Sequence, residues 1–371
     1  MKRWFGCGLV LTALLLSTGC EDRLNVEDVT FPLLIGLDLD ERDQLLVSIS
    51  SPVFSKEAKD REEEMEVVAT TVRQSREKFD QTVVGSTIGG KTQAFLIGKR
   101  VMQQKDWYAL LDPFYRDVKN PARPVIVLVD GAVDEIIEFS PPDKPRLPTY
   151  LMKLMTTAAR RNITVQTTLQ DLHRQMFDRG ITPSIVEMEK ARNVQVKGTA
   201  LLKEDGRYAL SLDPHENKLL AILSHHYKGD FPFTLTLSSR RSDKVFNTNT
   251  ISFNATDVYT KTKVAYEDDK FKFKVHVKLG IALSERLFPS MGDQDAIPLQ
   301  DEIAQELKQQ FQQLIEKIQA AQIDPIGLGI YARAKQYKHW KSVQDHWGEA
   351  LSKAVVDVNV KVKIQALGAI Q

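Results

Sequence analysis

The sequence predicts an α+β protein of more than one domain, with an N-terminal mixed α/β sheet module followed by a C-terminal antiparallel sheet packed by a long helix. Apolar runs at 94–97 and 125–129 are separated by a helical stretch, the alternation of an α/β unit. Phe271, Phe273, Val275, Val277, Leu279 and Ile281 alternate with polar residues, as in a strand buried on one face. Ile303, Leu307, Phe311, Leu314 and Ile318 recur at helical steps and form a stripe able to cover that face. The 371 residues, 42% hydrophobic and 27% charged, are ordinary globular stock for two or three domains.

The chain opens "MKRWFGCGLVLTALLLSTGC", two cations, an apolar stretch from Trp4 to Leu16, then small residues. This is the pattern of a secretion signal over residues 1–19. The stretch falls short of the roughly 20 residues of a spanning helix. Ser17-Thr18-Gly19-Cys20 resembles the lipobox of bacterial lipoproteins, with Ser17 where an aliphatic residue is usual. That resemblance implies cleavage before Cys20 and acylation of its thiol, and two acyl chains hold a protein durably on a bilayer where one does not. Cys7 leaves with the signal, so the mature chain keeps no thiol for a disulfide or a thiolate metal site. Of 50 cations, Lys2 and Arg3 also leave, against 49 anions. A near-neutral chain does not have the charge of a nucleic-acid binder.

The module at 20–192 begins with "FPLLIGLDLDERDQLLVSISSP", two strands joined at Asp40–Asp43 in a hairpin. The acidic "KEAKDREEEMEV" reads as a solvated loop, "EVVATT" as a further strand and "VRQSREKFDQTV" as a helix. "GSTIGGKT" then fits the phosphate-loop pattern G-x-x-x-x-G-K-[ST] with Gly85, Gly90, Lys91 and Thr92. A phosphate loop must lead into a helix whose N-terminal N–H groups meet the anion. Here "QAFLIG" reads as a buried strand, with a helix starting only near Lys99, so Gly85, Gly89 and Gly90 are read as turn residues. Asp130, placed like a magnesium-binding carboxylate after "PVIVLV", is equally the end of a buried strand at an Asp-Gly turn. "DWYALLDPFYRD" between these strands is a short amphipathic helix. The proline-rich segment 140–148 is an extended connector, and two helices occupy 149–180.

In the module at 193–371, "NVQVKGTALLKEDGRYALSL" is a hairpin turning at Glu204-Asp205-Gly206. Asp213 and Pro214 cap the helix that follows, completing a 193–230 subregion. The sheet and long helix take up 231–371, with "FPFTLTL" as another strand, the helix running from Pro298 to about Ile323, one shorter helix carrying Trp340 and Trp347, and a last alternating strand from Val356 to Ala366. His339 and His346 stand about 10 Å apart on that helix, too far to share a zinc ion, and His225-His226 has no carboxylate cluster beside it. Trp340 and Trp347 read as core. No catalytic set is recognisable, and no cofactor or metal is expected.

"DPIGLGIYARAKQYKHWKSVQDHWGEALSKAVVDVNVKVKIQALG" resembles the C-terminal signature of the Ger(x)C family, the C-subunit lipoproteins of bacterial spore nutrient-germinant receptors. Asp324, Pro325, Gly327, Gly329, Trp340, Trp347 and Gly368 match it in order, "VKGTALLKEDGRYAL" looks like the family's central hairpin, "IGLDLD" like its first strand, and "AFLIGKRVMQQ" like its strand ending Ile-Gly before a short helix. "SLDPHENKLLAILSHH" is more polar than the family pattern. The resemblance implies an accessory or coupling subunit without catalytic residues, anchored through Cys20 to the outer face of the spore inner membrane. It would stand beside two integral-membrane subunits, A and B, of the same receptor, and needs no nucleic acid. Two other readings make different demands. A lipid-anchored solute-binding protein needs two similar lobes around a cleft, and a nucleotide hydrolase needs Lys91.

Overall fold

The structure, a computed structural model, describes residues 25–366 apart from 56, 84, 141–142, 230, 239–248 and 289–295. The signal, Cys20 and Gly368 lie outside the described residues. The first ten strands are β1 (Val29–Thr30), β2 (Leu34–Leu39), β3 (Leu45–Pro52), β4 (Glu62–Val68), β5 (Ser86–Thr87), β6 (Ala94–Gly98), β7 (Val125–Val129), β8 (Ser184–Lys190), β9 (Val194–Leu202) and β10 (Tyr208–Leu212). Eight of them form one mixed sheet in the order β10-β9-β8-β7-β6-β2-β3-β4. The four central strands, β8, β7, β6 and β2, run parallel, and antiparallel hairpins extend both ends.

β6 and β7 are buried at every position because helices cover both faces of a parallel sheet, which is why their sequences are continuous apolar runs. On one face Leu34, Leu96, Val127 and Met188 pack under α4 (Asp134–Ile137) and α5 (Leu147–Arg160). On the other, Phe95, Ile97, Ile126 and Ile185 pack under α1 (Val72–Phe79), α2 (Lys99–Gln103), α3 (Asp112–Arg116) and α6 (Leu169–Phe177). Local chemistry starts these helices where the sheet needs them. Thr71 caps α1, Thr168 and Asp171 form a capping box on α6, and Asp213 with Glu216 forms another on α7 (Pro214–Leu223), whose Pro214 sits in the first turn.

The C-terminal unit contains β11 (Pro232–Thr236), β12 (Thr250–Glu267), β13 (Lys270–Arg286) and β14 (Val355–Ala366) in that spatial order. α8 (Ala296–Ala320) lays the predicted stripe of Ile303, Leu307, Phe311, Leu314 and Ile318 on the inner face of this sheet, and all five are buried. α9 (Leu328–Lys335), α10 (Tyr337–Val343) and α11 (Trp347–Ser352) complete the cover.

Four expectations are corrected. The acidic run is a loop only in its first part, 57–61: Glu62 to Glu66 lie in β4, the sheet's edge strand, with Met65 and Val67 leaning on the core and Glu66 accepting the Ser48 hydroxyl at 2.8 Å. Charges on an edge are compatible with a strand paired on one side only. The hairpin read as C-terminal is hydrogen-bonded into the large sheet, because β9 pairs with β8, so the division near residue 192 is not a division of the sheet. The C-terminal sheet is mixed, since β14 runs parallel to β13. The helices between them carry the chain back across the sheet, and such a crossover returns a strand in its original direction. Trp340 and Trp347 sit on two helices, separated by a 3-10 turn at Gln344–His346.

Candidate functional site

The phosphate-loop match is a turn. Ser86 and Thr87 pair with Val29 and Thr30, Gly89–Lys91 is a single 3-10 turn, and strand β6 follows where a helix would be required. The Thr92 hydroxyl, which would serve a magnesium ion, donates to the Gly89 carbonyl at 2.9 Å and reaches the Pro32 carbonyl at 3.1 Å. Lys91 points to solvent.

Asp130 is held by its own chain. Lys99 Nζ lies 2.9 Å from Oδ1, and Lys197 binds Oδ2. Burial works against the charge on Asp130, but these two ammonium groups outweigh it and keep the carboxyl below the usual carboxylate range. Behind this cluster Glu187 is fully buried in β8, and burial pushes its carboxyl up. A carboxylate already paired with two ammonium groups has no net negative charge left to offer a cation. Among the described residues no group of three or more His, Cys, Asp or Glu side chains could hold a metal ion. His339 stacks on Tyr266 with ring centroids 3.9 Å apart, and His346 is exposed.

Four of the signature residues, Asp324, Gly327, Gly329 and Trp347, come together, at a joint rather than an open pocket. Asp324 follows α8 and has no solvent exposure. Its carboxylate accepts from the backbone N–H groups of Gly327 (2.8 Å), Leu328 (3.0 Å) and Gly329 (2.7 Å), and from the Trp347 indole N–H (2.7 Å). Its backbone N–H donates to the Thr182 hydroxyl, and the Thr182 N–H donates to the Asp324 carbonyl, each at 2.9 Å. Thr182 leads into β8 of the large sheet, so one residue ties the start of α9, the indole on α11 and the large sheet. Burial pushes the Asp324 carboxyl up, while the four donors favour its charged form.

Gly327, Gly329, Trp347 and Trp340 surround this joint. Gly327 has φ of +83°, a left-handed conformation that glycine adopts without strain. A Cβ on Gly329 would stand 2.7 Å from the Trp347 indole nitrogen and 2.8 Å from the Gly180 Cα. Trp347 packs edge-on against Phe271 and Phe273, and the Arg333 guanidinium lies 5.5 Å from the centre of the Trp340 ring. Arg333 in turn forks onto Asp178 at 3.0 and 3.3 Å, again linking α9 to the segment before β8.

A second seam ties α7 to the large sheet. The Thr199 hydroxyl donates to Asn217 Oδ1 at 2.7 Å, Asn217 Nδ2 donates to the Asn162 carbonyl at 2.8 Å, and the Asn162 side chain bonds both the carbonyl and N–H of Lys228. Asn162 and Asn217 also line a cleft of about 380 Å³, with Gln166, Arg174, His226 and Lys228. Burial first, and then neighbouring His226, lowers the His225 pKa below the usual imidazole value.

Comparison with known proteins adds a second line of observation. A family model described as "Spore germination protein N-terminal domain" matches residues 22–190, and one described as "Spore germination B3/ GerAC like, C-terminal" matches residues 197–368. Among solved structures, the "Crystal Structure of the GerBC protein" matches with a TM-score of 0.57 and 16% identity, over 89% of this chain and 96% of that one. At that identity the likeness is one of fold. No curated protein matches the sequence.

Proposed function

Because this chain belongs to the GerAC-like family of spore germination proteins, we propose that it is a lipid-anchored coupling subunit of a nutrient germinant receptor. Cys20 carries the acyl chains that hold it on the outer face of the spore inner membrane. Its partners are the integral-membrane A and B subunits of the same receptor, and it transmits or stabilises their response without chemistry of its own.

The observation that supports this reading best is the buried joint at Asp324. The signature residues Asp324, Gly327, Gly329 and Trp347 use their polar groups on one another and on the segment entering the large sheet. Residues that fix how two units meet suit a protein that works through its shape. Among the described residues no helix is long and apolar enough to cross a membrane. Acylated Cys20 is the proposed durable attachment. A solute-binding protein would present two like lobes, whereas here an eight-stranded sheet meets a four-stranded one.

The test is a spore strain carrying Cys20→Ala. The proposal expects the altered chain to leave the inner-membrane fraction once that is washed at about 1 M salt, which screens ionic contacts with the bilayer, and nutrient-triggered dipicolinate release to fall to the level of the null. A Cys20→Ala chain that stays in that fraction and supports full release would remove the anchoring role.

A further inference from the structure

The outer face of the C-terminal sheet carries a field of lysines that the joint does not use. Lys261 and Lys263 on β12, Lys274 and Lys278 on β13, and Lys361 and Lys363 on β14 are all exposed, and among the described residues none has a carboxylate within ion-pair distance. The acids nearby are otherwise engaged or few. Glu267 and Asp268 pair with Lys272 at the hairpin tip, Asp257 accepts from Gln365, and Asp357 stands beside Lys274. The register sets like charges against each other, Lys263 opposite Lys274 and Lys278 beside Lys361. Directly opposed like charges destabilise a sheet. A near-neutral chain has therefore gathered positive charge without ion-pair partners on one face of this sheet.

We propose that this face docks on an anionic lipid bilayer. Side chains alternate faces along a strand, and the register places these lysines on the same face of three neighbouring strands. An anionic leaflet carries a negative surface potential that attracts such a cluster of lysines. The composition favours a bilayer over a protein or a nucleic acid. Lysine is depleted in protein interfaces, and no arginine, the usual fork for phosphate or carboxylate recognition, stands among the six. Tyr259 lies exposed in the same field, with Lys278 Nζ 5.8 Å from its ring centre, and tyrosine suits the membrane–water boundary. The proposal rests on the reading that this chain faces a bilayer, but not on acylation of Cys20.

The experiment uses the mature chain from residue 20 to 371 with Cys20→Ser, so that no acyl chain contributes. It is sedimented with vesicles of phosphatidylcholine alone or mixed with phosphatidylglycerol. Binding is expected only to the anionic vesicles at about 0.1 M salt and is lost near 1 M. The quadruple variant Lys263→Gln, Lys274→Gln, Lys278→Gln, Lys361→Gln should bind on the order of a thousandfold more weakly, with an unfolding midpoint no lower than that of the parent. The control Lys105→Gln, Lys119→Gln, on the N-terminal module, should bind as the parent does. Failure of the parent chain to bind anionic vesicles overturns the proposal, as does undiminished binding by the quadruple variant. Binding to soluble polyglutamate but not to vesicles would assign the face to an acidic protein instead. Each of these failures leaves the Cys20 anchor standing, because that is tested by the fractionation of Cys20→Ala.

Discussion

At Asp324 four donors converge on a carboxylate shielded from water. Removing the acceptor strands buried N–H groups on two helices, and the cost is their desolvation rather than the loss of one bond. Asp324→Ala should therefore lower unfolding free energy by about 3–5 kcal/mol in urea titration. Trp347→Phe keeps most of the packing but removes one donor, so its cost should be smaller. A loss below about 1 kcal/mol for Asp324→Ala would contradict the account of the joint. Asp130 makes a prediction about pH. Its folded pKa is depressed by Lys197 and Lys99, so the folded state binds its proton less readily than the unfolded one. The stabilisation is present above the unfolded value near 3.9 and is lost as pH falls through the lower folded value. Asp130→Asn should be less stable than the parent at neutral pH, and the gap should narrow between about pH 5 and pH 2. An unchanging gap would mean that the ion pairs contribute nothing. Sequence resemblance marked Asp324 and Trp347 but not their bond, because hydrogen bonding over 23 residues leaves no local pattern. The clamp on Asp130 was hidden for the same reason, Lys99 coming from the start of α2 and Lys197 from β9.

Among the elements, β6 and β7 were legible because both faces are covered and every residue is apolar. α8 was legible because one stripe alone meets the sheet. β8 was not, although it is central, because Glu187 interrupts its apolar positions and Glu189 and Lys190 end it with charges. β12 was obscured by Thr260 and Thr262 on its inner side, where Thr260 is satisfied by the Ile222 carbonyl at 3.0 Å. Nothing in β14 itself encodes that it runs parallel to β13, since alternation is the same in either direction. The turn at 85–92 tests how well element context overrides motif. Lys91→Ala should change stability by less than about 0.5 kcal/mol and leave function intact. Gly329→Ala, in contrast, forces a Cβ against the Trp347 indole and the Gly180 backbone. It should destabilise the C-terminal unit by about 1–3 kcal/mol, and a neutral result in urea titration would show that α9 can shift away.

For the whole molecule, the core strands of each sheet and the long helix were predicted from period and composition, while the extent of the large sheet, the direction of β14 and the junction were not. Two units are locked through Asp324, Arg333 and Asn217, with a proposed lipid anchor before the first strand and a proposed basic docking face on the last sheet. The central claim is that this chain acts in nutrient-triggered germination through its shape and its place on the membrane. It is tested most directly by dipicolinate release from spores lacking the gene, exposed to a panel of amino acids and sugars and complemented with the parent, Lys91→Ala or Asp324→Ala chain. The account predicts that the null loses a nutrient response, that Lys91→Ala restores it fully, and that Asp324→Ala restores it only as far as folded protein accumulates. A null that answers every nutrient normally, or a folded Lys91→Ala protein that fails to rescue, would contradict it.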